Sequence, residues 1–118
     1  MENTNRLFLE ESAKWSEEDV IEFITREFQT PRDSVSCFEF IVVFLEDGGW
    51  EGSAYFLMKH RETGDFYEAS GSHCSCFGFE EQWDPKIAPK AYLVSEKYSP
   101  WYVSEKDNVK QFVKQLFT

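Results

Sequence analysis

Between Gly71 and Pro85 the chain reads GSHCSCFGFEEQWDP, its densest run of side chains able to bind metal, act as a nucleophile or move a proton. His73, Cys74 and Cys76 are all ligand types that zinc accepts. Structural zinc sites take ligand pairs spaced roughly two to four residues apart from two separate segments. Cys-x-Cys is tighter than that, and neighbours such as His73 and Cys74 point to opposite sides of an extended chain. A tetrahedral site would therefore have to recruit Cys37 or His60. The same thiols offer a nucleophile, which needs an imidazole within hydrogen-bond reach and a third group to orient it. His60 could serve Cys74 or Cys76 across a sheet, with Glu80, Glu81 or Asp84 behind it, but no cysteine-protease signature surrounds these residues. A Cys74–Cys76 disulfide would be strained and lacks the C-x-x-C spacing of redox pairs.

The favoured reading of this stretch is architectural. A free cysteine behaves as a small hydrophobe, and Ser-rich loops bond their own backbone. Gly71 and Gly78 give the backbone freedom, Phe77, Phe79 and Trp83 would anchor the loop to the core, and His73 would bond a neighbouring carbonyl. No catalytic residue is assigned.

The elements that would carry this loop are written nearby. SEED at 16–19 is a capping box, in which Ser16 and Asp19 bond each other's backbone amides. It opens a helix over about Ser16 to Gln29, with Val20, Ile21, Ile24 and Phe28 on one face, and TPRDS at 30–34 ends it at Pro31. Val35 to Leu45 is β-branched and aromatic and predicts a long strand, apolar on both faces from Phe40 onward and so covered on both sides. A glycine-rich turn at 46–52 leads to a strand in which Ala54, Phe56 and Met58 alternate with Tyr55, Leu57 and Lys59. A turn at 61–65 leads to a short strand over Phe66 to Ala69. Tyr55, Leu57 and Tyr67 are expected to seat a flanking helix, and Ala91 to Ser95 is read as a fourth strand, with one helical turn as the alternative. SEKD at 104–107 repeats the capping box before the stripe Val109, Phe112, Val113, Leu116 and Phe117. The expected fold is a single α+β domain over 1–118, an antiparallel β-meander of three to four strands flanked by an N-terminal and a C-terminal amphipathic helix.

Composition limits the function classes. The 118 residues carry 22 acidic against 12 basic side chains, a net charge of -10, with 12 Phe, 5 Tyr and 4 Trp. Such a chain is repelled by phosphate backbones and by acidic lipid surfaces, so neither direct nucleic-acid binding nor membrane binding is expected. The opening residues lack a basic segment ahead of a long apolar one, and the 3 cysteines are an odd number, which together predict a cytosolic protein with reduced thiols. Glu10, Glu11, Glu17, Glu18, Asp19 and Glu22 form an acidic row able to imitate the phosphates of DNA toward a basic protein. Trp50, Trp101 and Tyr102 sit in expected loops and have the chemistry of interface anchors.

GWEGSAYFL, followed by FYEASGSHCSCFGFEEQWDP, resembles a family of small uncharacterised bacteriophage and bacterial proteins. Its mark is a strand ending in G-S-H-C-S-C-x-G and a glutamate-rich segment leading to Gln-Trp. The resemblance covers Gly49 to Pro85, and the family has a glycine where this chain has Glu81. It implies a phage or prophage context and a compact α+β fold, and it carries no enzymatic activity. The function expected is that of a non-enzymatic cytosolic interaction protein, phage-encoded, which binds a host nuclease or defence component through an acidic and aromatic surface and needs no cofactor. The alternatives are a zinc protein using His73, Cys74 and Cys76 with Cys37 or His60, and a cysteine-dependent enzyme.

Overall fold

The Ser16 capping box forms. In the computed structural model, which describes residues 6–48, 50–75 and 78–117, the Ser16 hydroxyl accepts from the Asp19 amide at 3.2 Å. The Asp19 carboxylate accepts from the Ser16 amide at 3.0 Å. Helix α1 runs over Glu17–Glu27 and buries Val20, Ile21, Phe23 and Ile24. Gln29 leaves it at a φ of 51°, the left-handed exit common at helix C-termini. Pro31 then starts a new turn as well as ending the old one. The amides of Val35 and Ser36 donate to the Arg32 carbonyl, so Asp33–Ser36 is a short helix, α2. The strand expected from Val35 therefore begins at Phe38 and runs on to Asp47 as β2.

Strand β3 (Gly52–His60) pairs antiparallel with β2, and β4 (Phe66–His73) pairs antiparallel with β3. The third strand is thus longer than Phe66 to Ala69 and takes in the first three residues of the opening motif. The sheet is not a pure meander. Leu7–Glu10 forms β1, which pairs parallel with β2 across the α1 crossover, and the two-residue β5 (Lys86–Ile87) completes a five-stranded mixed sheet in the order β1-β2-β3-β4-β5. The strand expected at Ala91 to Ser95 is instead the short helix α3 (Lys90–Leu93). The Pro89 carbonyl there accepts from the amides of Tyr92 and Leu93, and proline suits the position before a first helical turn.

The terminal helix α4 spans Lys106–Leu116, but the second capping box does not form. The helix begins one residue after the pattern requires, with Glu105 at its N-cap and no side-chain cap. The Glu105 carboxylate accepts from the Asn108 side-chain amide instead.

A register shift between Phe40 and Val42 makes Ile41 a bulge in β2, and the faces change parity there. On one face Phe38, Phe40, Val43, Phe56 and Met58 meet α1, Phe79 and Trp83. On the other, Val42, Phe44, Tyr55 and Leu57 meet α3, α4 and Tyr98. The central strands are covered on both sides, as their apolar run requires. Tyr67 pairs with Met58 and so packs on the α1 face, not with Tyr55 and Leu57 as expected. Among the described residues no helix is long and apolar enough to cross a membrane.

Candidate functional site

Strand alternation divides β4 in two. Ala69, Gly71 and His73 turn toward α1, and Glu68, Ser70 and Ser72 turn toward the α4 face. At Gly71 a Cβ would fall 2.9 Å from the Phe28 ring, so glycine allows the ring to close over the strand. At His73 the imidazole sits edge-on to Phe79, with ring centroids 4.8 Å apart. Its Nε2 is 3.1 Å from Asp47 Oδ1, and its Nδ1 is 3.4 Å from the Cys74 carbonyl. The following loop is bound back onto the strand by Gln82. Its Oε1 accepts from the Ser72 amide at 2.8 Å, and its Nε2 donates to the Ser72 and Gly78 carbonyls at 2.7 and 3.0 Å. Phe79 is buried and stacks on Phe28, and the Trp83 indole donates to the Ser34 carbonyl at 3.1 Å. Cys76 and Phe77 lie outside the described residues.

The other candidate ligands are far away. Gly52 pairs with His73, and His60 is at the opposite end of nine-residue β3, about 27 Å away at the rise of an extended chain. Cys37 adjoins Phe38, which pairs with His60, so the fold places Cys37 with His60 and separates both from His73 and Cys74. Burial pushes the Cys37 thiol above its ordinary pKa. Among the described residues no group of three His, Cys, Asp or Glu side chains is placed to hold a metal ion. Glu80 accepts from the Gly78 amide, and Asp84 pairs with Lys86 at 3.0 Å, so neither faces His60.

The acidic row is also redistributed. Glu17 accepts from the Phe40 amide at 2.8 Å and pairs with Arg6 and Arg61. Glu18 takes Arg32 on both oxygens at 2.8 Å, and Asp19 serves the cap. Glu22 is exposed on the same helix. Three of these helix carboxylates therefore hold the α1 layer together. Glu10 and Glu11 lie at the end of β1, where Glu11 accepts from the Asp47 amide at 2.8 Å. A hydrogen bond to Glu105, with repulsion from Glu105, Glu46 and Glu11, raises the pKa of the Glu10 carboxyl. Acidic charge is thus concentrated at this end of the sheet.

The exposed aromatics gather nearby. Trp101 is 63% and Tyr102 49% exposed, with ring centroids 6.4 Å apart, and Trp50 on the β2–β3 turn is 75% exposed. Helices α3 and α4 and Tyr98 pack on Val42, Phe44, Tyr55 and Leu57 of this face, while Glu68, Ser70 and Ser72 of β4 stay half-buried. Trp101 borders one cavity of about 400 Å³ with Glu68, Ser70, Glu81, Asp84 and Lys86. Tyr102 borders a second of about 630 Å³ with Glu46, Glu51, Ser72, His73 and Cys74. Glu10, Glu81 and Tyr102 all have positive φ, at 57°, 64° and 66°. Such backbone strain in residues other than glycine gathers at functional sites.

Under Trp101 lies a hydroxyl chain formed by residues far apart in the sequence. Tyr55 donates to Glu68 Oε1 at 2.7 Å and lies 2.6 Å from the Tyr98 hydroxyl, so Tyr98 donates to Tyr55. Burial raises the pKa of Glu68, Tyr55 and Tyr98. The available signal was Glu68 itself, a charge placed on the same face as Tyr55 and Leu57. What the arrangement provides is two acidic cavities, one bordered by Trp101 and the other by Tyr102. Compared with protein-family models, curated proteins and solved structures, the chain has no match to any.

Proposed function

We propose that this protein acts by binding a basic partner protein through the two acidic cavities bordered by Trp101 and Tyr102. The observation that carries the reading is the exposure of those two rings, Tyr102 beside Glu46 and Glu51 and Trp101 beside Glu68, Glu81 and Asp84. Exposed Trp and Tyr form the anchors of interfaces, and surrounding carboxylates steer a cation-rich surface to them. The net charge of -10 extends that steering over the whole surface. The resemblance of Gly49 to Pro85 to small phage and bacterial proteins makes a host nuclease or defence component, met in the host cytoplasm, the partner class proposed.

The test is capture from a bacterial lysate on immobilised protein at low and at high salt. A partner is expected to be retained at low salt and released at high salt. The Trp101→Ala, Tyr102→Ala double variant should retain much less of it at either. Absence of any partner at both salt levels would sink the reading.

A further inference from the structure

We infer that the cavity between β4 and Trp101 docks an arginine side chain of the partner, an inference that rests on the interaction role proposed above. The sheet edge supplies the first reason. Ala88 donates to the Phe66 carbonyl at 2.7 Å, Glu68 pairs with Lys86, and the Gln82 side chain takes both backbone groups of Ser72. Ser70 is the rung between them, and strand alternation turns its N–H and C=O the same way, away from β3. The cavity of about 400 Å³ opens at this rung. One rung, flanked by β5 and by Gln82, is therefore left for the backbone of a single incoming residue.

The cavity walls select the side chain. Glu68 stands at its floor, held on one oxygen by Tyr55, and Glu81 and Asp84 line its sides. Among the described residues lining it Lys86 is the one cation, and it is paired with Asp84. Trp101 adds a broad exposed indole. A guanidinium meets both demands, because it is flat enough to stack on the indole and forks onto a carboxylate. An ammonium meets only the charge. The volume lies within the range that holds small ligands, so a single side chain fits.

The test uses isotopically labelled protein titrated with N-acetyl-arginine amide, and with N-acetyl-citrulline amide as the uncharged isostere. The arginine amide is expected to move the Ser70 amide and Trp101 indole signals saturably, and the citrulline amide to leave them in place. Glu68→Gln keeps an acceptor for Tyr55 and should weaken arginine binding about tenfold. Trp101→Ala, at an exposed position, should weaken it about threefold or more. No shift at these two signals, an equal response to citrulline, or unchanged affinity in both variants overturns the docking. Partner captured equally by the wild type and Glu68→Gln, with no arginine response, overturns the docking and leaves the interaction role standing. An arginine-specific response with no partner captured at either salt keeps the cavity assignment and removes the interaction role.

Discussion

A Cβ on residue 52 would fall 2.5 Å from His73 Nε2 and 2.8 Å from its Cδ2, so the imidazole occupies the space that only glycine leaves. Gly52→Ala should displace His73 from Asp47 and Phe79 and cost about 1–3 kcal/mol, as overpacking does. Urea unfolding measures it, and an unchanged midpoint would mean that the ring swings aside freely. His73 is in this view a packed residue with an acidic partner, and its neighbour Cys74 borders the cavity beside Tyr102. Glu68 gives a second prediction at this scale. Burial raises its pKa above the ordinary 4.5, so the folded protein holds the proton to higher pH than the unfolded chain does. Stability from this group is complete below 4.5 and falls as pH rises through the raised value. Wild type should therefore lose stability relative to Glu68→Gln as pH climbs above 4.5. Denaturation curves at a series of pH values check this, and a constant difference between the two proteins would refute it.

Among the elements, the α1 cap and the β4 edge invite direct tests. Ser16→Ala removes the acceptor for the Asp19 amide and should cost about 1 kcal/mol, read from chemical denaturation. Gln82→Leu leaves the Ser72 amide and the Ser72 and Gly78 carbonyls without their partner. A loss of about 1–3 kcal/mol is expected, with faster hydrogen exchange at Ser72; unchanged exchange would show that the clamp is dispensable. Elements with a complete local code were legible in the sequence. The α1 box, the two turns of the β2–β4 hairpins and the stripe of α4 each have their signal within a few residues. Strand β1 was not legible, because its partner is β2, separated from it by the whole α1 crossover. Residues 104–107 show the converse, a complete capping pattern that does not form, the helix starting at Lys106 with Glu105 taking the Asn108 side-chain amide. Helix α3 stands where a strand was expected because the Pro89 carbonyl accepts from the Tyr92 and Leu93 amides and so starts a turn, which an apolar pattern over five residues does not reveal.

For the whole molecule, charge placement matters more than total charge. Glu105→Gln removes one carboxylate from the cluster around Glu10 and should bring the Glu10 pKa down toward the ordinary value, measured by side-chain titration in NMR. A Glu10 value that does not move would mean that Glu105 is not its main neighbour. The same substitution should make partner capture less salt-sensitive, since fewer charges take part in steering. The sequence by itself determined the α+β class, the two amphipathic helices, a core strand covered on both sides, and the anchoring of the Gly71–Pro85 loop by Phe79 and Trp83. Each of these depends on residue type and short-range period, which are local properties. Only the tertiary structure decided that His60 and His73 stand at opposite ends of one strand, and that Glu17, Glu18 and Asp19 face partners within the chain. It alone set Glu68 beneath Trp101. Those outcomes depend on register and on which surfaces α1 and α4 cover, and a single sequence encodes long-range register only through the packing of the complete fold.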